Sequence, residues 1–194
     1  WKLPAKTLNP KVGTHAMAMM RQLKSGQVRF FWSLVTNPFQ DFPNLNPWIK
    51  AAREGDNFIV VSDAYPTVSA KVADLVLPSA MIFEKWGCYG NSERRTQHWR
   101  QQVKAPGAAK ADVWQLLEFS KRFTLGEVWK EQALPGLKEA GFEDGKLTSV
   151  LEAAATMGYG SEQTLYEVLF ATEANKAVTW PDPIADGHPN EVAD

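Results

Sequence analysis

Three short polar groups follow the most apolar runs of this 194-residue sequence. Thr36-Asn37 closes the run 28–35, Ser62-Asp63 closes the run 57–61, and Glu84-Lys85 stands a short link beyond Leu75-Val76-Leu77-Pro78. If the runs are parallel strands, these groups lie at their carboxyl ends, where open α/β sheets bind ligands. An asparagine there offers a donor and an acceptor on one tip, which suits a ribose, a base edge or an amide. A carboxylate accepts from ribose hydroxyls or a purine edge, and a lysine supplies a point charge for phosphate. The same residue types are ordinary turn formers, so position alone leaves both readings open. The glycine-rich phosphate loops of common nucleotide folds do not occur: there is no G-x-G-x-x-G after a strand and no G-x-x-x-x-G-K-[ST].

The elements that must position these residues alternate. Thr14 is the expected N-cap of a helix over 15–24, with Met17, Met20 and Leu23 at helical spacing and Gly26 after its end. The run 28–35 is a buried strand, broken by Asn37-Pro38. Asn46-Pro47 reads as N-cap and first residue of a helix over 47–53, stopped at Gly55. A second strand covers 57–61, Pro66 opens a helix over 67–73, and a third strand covers 75–78, demoted towards an edge or terminus by its proline. Strand, helix, strand, helix, strand indicates a parallel sheet with helices packed on it. Residues 87–107 read as loop and irregular strand. Asp112 and Gln115 then have the spacing of a capping box for a helix reaching Phe123. A boundary near Leu125 divides an α/β unit, 1–124, from a helical extension, 125–194, whose clearest helix spans 162–171.

Composition excludes several classes. A formal net charge of −1 gives no basic surface for nucleic acid or anionic membrane, and no stretch approaches the roughly 20 apolar residues of a membrane helix. Cys88 is the only cysteine, which excludes an internal disulfide and a cysteine-held iron–sulfur cluster within the chain. It reads as a small, buried or half-buried side chain. The three histidines, His15, His98 and His188, are too scattered for a metal site. Eight Trp and ten Phe imply large aromatic contacts, internal or with other chain. An opening without methionine and a turn-rich polar close read as the ends of an excised segment.

Ala73-Asp74-Leu75-Val76-Leu77-Pro78, followed by Glu84-Lys85-Trp86-Gly87-Cys88-Tyr89-Gly90-Asn91-Ser92-Glu93-Arg94-Arg95-Thr96-Gln97, closely resembles the molybdopterin oxidoreductase family. There an A-D-x-V-L-P strand leads to an E-K-x-G-x-x-x-N-x-E-x-R loop. The loop, the segments 58–66 and 114–123, and the flanking 13–17 and 164–169 resemble the periplasmic nitrate reductase branch, so the likeness covers nearly the whole chain. Thr36-Asn37-Pro38-Phe39 departs from the branch, where many members have a run of asparagines; Trp86 replaces a frequent acidic residue.

The resemblance implies an α/β fold, a three-layer sandwich with a mainly parallel sheet plus a helical extension, from the third of four domains. It implies that the intact protein is a periplasmic catalytic subunit reducing nitrate to nitrite. Its cofactors would be molybdenum bis(molybdopterin guanine dinucleotide) and a 4Fe-4S cluster with ligands outside this chain. A small c-type cytochrome would be its electron-donor partner, alongside the rest of the subunit. The family's cofactor positions carry over to Asn37, Ser62, Asp63, Lys85 and Asp112, with no catalytic or metal-ligating residue in the segment. Each keeps a plainer reading: a turn for Asn37, a cap for Ser62 and Asp63, an ion pair with Glu84 or Glu93 for Lys85, an N-cap for Asp112. Related molybdenum enzymes, such as an assimilatory nitrate reductase or a formate dehydrogenase, and a stand-alone binding domain also stay open.

Overall fold

A computed structural model of the chain describes residues 11–93, 96–128, 138–139 and 161. The apolar runs become three parallel strands, β1 (Phe30–Leu34), β2 (Phe58–Asp63) and β3 (Leu75–Pro78), hydrogen-bonded in the order β1-β2-β3. Phe30 pairs with Phe58 and Leu34 with Ser62, while Val60 pairs with Leu75 and Asp63 with Pro78. β2 is central, and four consecutive residues, Ile59 to Ser62, are buried. That burial on both faces explains its unbroken apolar run. β3 lies at the edge, as its proline predicts, and the Pro78 carbonyl accepts from Lys110 N at 3.0 Å.

Helices form the connections. α1 (Ala16–Lys24) buries Met20 and Leu23, three residues apart, and ends before Gly26, whose φ of +76° suits glycine. Its N-cap is His15 rather than the expected Thr14: the imidazole Nδ1 accepts from Ala18 N at 3.3 Å. α2 (Pro38–Asp41) follows β1. α3 (Leu45–Glu54) begins two residues before the predicted start, its N-cap Asn44 in the left-handed region at φ 55°. Pro47 therefore sits within the first turn, where a missing N–H forfeits no helical hydrogen bond. α4 (Val68–Val72) is capped by Thr67, whose Oγ1 accepts from Ala70 N at 3.2 Å.

The pleat divides β1 between two environments. Phe31 joins Ile59 and Val61 against Met20, Leu23, Phe39, Trp48, Ala52 and Val72 of the helices, forming the main core. Each such large side chain contributes about 1.5–3 kcal/mol on burial. Phe30 and Trp32 point the other way and meet Phe119 of α5 (Asp112–Ser120) at centroid distances of 5.8 and 5.3 Å.

Beyond β3 the stretch expected as loop and irregular strand contains a regular strand pair. β4 (Gly87–Gly90) and β5 (Thr96–Trp99) pair antiparallel, Gly87 opposite Trp99 and Gly90 opposite Thr96. α5 ends at Ser120, short of Phe123, and its N-cap is Ala111. The capping-box reading of Asp112 and Gln115 is thus corrected: Asp112 is the first helical residue and Gln115 is buried. α6 (Leu125–Val128) follows. The predicted helix over 162–171 lies outside the described residues. Among the described residues no helix is long and apolar enough to cross a membrane.

Candidate functional site

The carboxyl ends of β1, β2 and β3 are tied together by polar side chains, each with a distinct task. Val35, just past β1, adopts φ 52° and donates its N–H to Ser62 O at 2.8 Å. A β-branched residue in the left-handed region is strained. Two residues on, Asn37 Oδ1 accepts from Ser69 N at 3.0 Å and from Ser69 Oγ at 2.6 Å, and its amide nitrogen donates to Gln40 at 2.8 Å. Ser69 Oγ in turn accepts from Phe39 N at 3.0 Å. Asn37 therefore fastens the end of β1 to the first turn of α4.

Ser62 is fully buried. Its hydroxyl accepts from Trp32 Nε1 at 2.8 Å and donates to Gln115 Oε1 at 2.6 Å. The Gln115 amide nitrogen donates to Ser79 Oγ at 3.2 Å, Lys110 O at 3.1 Å and Pro78 O at 3.3 Å. Gln115 is thus the hub joining β2, the end of β3 and α5. Sequence reasoning missed it, because its spacing from Asp112 matched a capping box. Asp63 stays half-buried beside Ser62, and its Oδ1 accepts from Tyr65 N at 2.9 Å in a two-residue turn. Its second oxygen takes no hydrogen bond from the described residues.

Past β3, a bridge between Ser79 and Lys110 brings the start of α5 beside the strand ends. Lys85 there forms an ion pair with Asp112 across 27 residues, the side chains 17% and 26% exposed. Neither Glu84 nor Glu93 is the partner: Glu84 accepts from Met81 N at 2.8 Å instead. The pair borders a cavity of about 170 Å³ lined by Lys85, Trp86, Gly87, Cys88, Trp99, Ala111, Asp112 and Val113. Two buried polar atoms of this lining, Asp112 Oδ1 and Trp99 Nε1, have no hydrogen-bond partner among the described residues. Cys88 is half-buried as expected, and burial pushes its thiol pKa up, away from thiolate chemistry. Burial, and secondarily Arg100, pushes the His98 imidazole down.

The five sequence-picked residues thus gather around the strand ends but not in one hydrogen-bonded set. Lys85 and Asp112 meet directly, Ser62 reaches α5 through Gln115, and Asn37 turns toward α4. Asn37 and Ser62 spend their side-chain hydrogen bonds largely on the fold; Asp63 and Asp112 each keep an acceptor. Among the described residues no cluster of three or more His, Cys, Asp or Glu could hold a metal ion. Trp99 and Gly87 were not singled out from the sequence, because only strand register brings them together.

The described residues form a parallel α/β unit with two carboxylates and a lysine gathered beyond its strand ends. The chain belongs to the molybdopterin oxidoreductase family, which residues 2–122 match. It is 55% identical over 192 residues to the periplasmic nitrate reductase of Campylobacter fetus subsp. fetus (strain 82-40), an alignment covering 98% of this chain and 20% of that protein. The chain therefore spans about a fifth of that relative's length.

Proposed function

We propose that this segment holds one arm of a molybdopterin guanine dinucleotide within the catalytic subunit of a periplasmic nitrate reductase. The observation that carries the reading is the Asp112 carboxylate: one oxygen is paired with Lys85, while the other is buried, unpartnered and beside a cavity. A buried acceptor left open costs about 1–3 kcal/mol, a cost a bound N–H donor would offset. The residues present fit the cofactor in kind: carboxylates for base or pterin N–H groups and a lysine for phosphate.

When bound, the group supplies oxygen-atom transfer at molybdenum, by which the whole enzyme reduces nitrate to nitrite. This chain's residues bind and orient. Asp63 and Asp112 accept hydrogen bonds, Lys85 offsets phosphate charge, and Asn37 and Ser62 set the strand ends from which main chain and side chain reach the cofactor. The fold supports a three-layer sandwich, since α5 packs on the sheet face opposite α1 to α4. Residues 1–124 are the cofactor-contacting unit and 125–194 a helical extension. The 4Fe-4S cluster, the metal ligand and the contacts to a c-type cytochrome belong to the rest of a periplasmic subunit, so this segment alone is inactive.

The test is expression of the full native gene, with molybdenum, guanine nucleotide released by acid, and viologen-driven nitrate reduction measured together. Asp63→Ala and Asn37→Ala should lower cofactor content while the protein stays folded. A wild-type protein carrying neither molybdenum nor guanine nucleotide would refute the assignment. Reduction of a different oxyanion would leave the cofactor role standing and remove nitrate.

A further inference from the structure

The two edges of the parallel sheet are finished differently. β3 ends against the chain at Lys110, whose N–H donates to Pro78 O at 3.0 Å and whose carbonyl accepts from Ala80 N at 2.9 Å. β1, at the other edge, pairs with β2 alone among the described residues. The bonds at its two ends fix which groups face that neighbour: Arg29 O accepts from Phe58 N at 2.7 Å, and Val35 N donates to Ser62 O at 2.8 Å. Hydrogen-bonding direction alternates along a strand, so Phe31 and Ser33 also face β2, in keeping with the register. The N–H and C=O groups of Phe30, Trp32 and Leu34 point away from it. Such a row is a template for pairing, and edges that stay in water are normally guarded by charge, proline or a bulge. The run Phe30-Phe31-Trp32-Ser33-Leu34 has none of these. β1 is also covered on both faces: Phe31 packs into the main core, Ser33 is buried, and Trp32 meets Phe119 of α5. Cover on both faces marks an interior strand of a parallel sheet. At the rim the stacked rings of Phe30 and Phe58 stay 47% and 46% exposed.

We propose that the β1 edge is an interaction surface for one further strand, parallel to β1 and supplied by the parent chain outside these 194 residues. The sequence spans about a fifth of its relative's length, which leaves ample chain to supply it. Beyond Val128 the longest apolar run falls in a stretch with helical spacing, at Leu165, Val168 and Leu169. Parallel pairing is the orientation found where helices cover both faces of a sheet. The added strand bonds the outward groups of Phe30, Trp32 and Leu34 and lays side chains beside the exposed ring of Phe30. This pairing needs no ligand, so it stands apart from the cofactor reading.

The experiment uses the full-length parent protein, with amide exchange read residue by residue through electron-transfer fragmentation of the peptide covering 28–36. The amides of Phe30, Trp32 and Leu34 should be slowed about a thousandfold or more against their unstructured rates, as those of Phe31, Ser33 and Val35 are. Slowing at all three needs an acceptor at every second residue along the neighbour, which a strand supplies and a loop or helix laid on the edge does not. Protection confined to Phe31, Ser33 and Val35, which β2 already holds, overturns the proposal. The occupant is identified with p-benzoylphenylalanine in place of Phe30, which keeps an aromatic ring at the rim, followed by photolysis and peptide mass spectrometry. An intramolecular cross-link near the amino end of an apolar, strand-length run outside these 194 residues is the expected result. Attachment at the carboxyl end of such a run overturns the parallel orientation. Cross-links only within the 194 residues, or only to another molecule, overturn the assignment of the strand to the parent chain. The exchange measurement needs no substitution, so it decides the pairing even where the cross-linking variant does not fold.

Discussion

Replacing Gln115 by leucine tests whether α5 is locked to the strand ends by its buried amide. The side chain is 5% exposed and makes four contacts. Two of its acceptors lose little, because Pro78 O still accepts from Lys110 N at 3.0 Å and Lys110 O from Ala80 N at 2.9 Å. The loss falls on two buried hydroxyls: Ser79 Oγ loses its donor, and Ser62 loses the acceptor for its proton while Trp32 occupies its lone pair. Together they give an expected destabilisation of about 2 kcal/mol. Ser62→Ala strands Gln115 Oε1 and Trp32 Nε1 and should cost a similar amount. The double variant should fall short of the sum by about 1–2 kcal/mol, since the shared bond is lost only once. Because the chain spans about a fifth of its relative's length, a single two-state unfolding free energy is not the quantity to measure, and the assay is hydrogen exchange in the full-length protein. Amides of residues 112–120 should exchange about thirtyfold faster in Gln115→Leu. Additivity within about 0.5 kcal/mol would refute the hub.

Val35→Asn should stabilise the end of β1 by about 1 kcal/mol, because asparagine tolerates φ 52° and the valine side chain is about half exposed; slower exchange in residues 30–35 checks it, and faster exchange would show that the valine packs usefully. The lowered pKa of His98 means the folded hairpin favours the neutral ring. Its contribution is complete above the unfolded value of 6.5 and is lost as pH falls through the folded value. Exchange across β4 and β5, corrected for intrinsic rates, should therefore rise below about pH 6.5. His98→Asn should flatten that profile.

Much of the fold was legible in local chemistry. Apolar runs of strand length, Gly26 and Gly55 after helices, and Pro78 in a short run located all three parallel strands and helices α1, α3 and α4, though not the short α2, because burial and backbone preference act residue by residue. The strand-end polar groups were legible for the same reason: a parallel sheet places whatever follows a strand at one edge. The family was legible too, in the ordered motif from Ala73 to Gln97. Cap positions were misjudged at Thr14, Asn46 and Asp112, where several adjacent residues satisfy the same pattern and packing selects among them.

Partnership across the chain could not be read in this way. Nothing near Lys85 names Asp112, 27 residues away, as its counter-ion, and nothing near Gln115 says that it turns inward to Ser62, 53 residues back. Gly87 and Trp99 become one feature only through the register of β4 and β5. The sequence by itself determined which segments form the parallel strands, where the sheet's polar edge lies and to which family the chain belongs; it overstated the burial of the first strand, where Phe30 is 47% exposed. Tertiary structure alone decided which polar atoms are spent on the fold and which stay open, since a hydrogen bond depends on distance and angle in space, and spacing along the chain encodes neither.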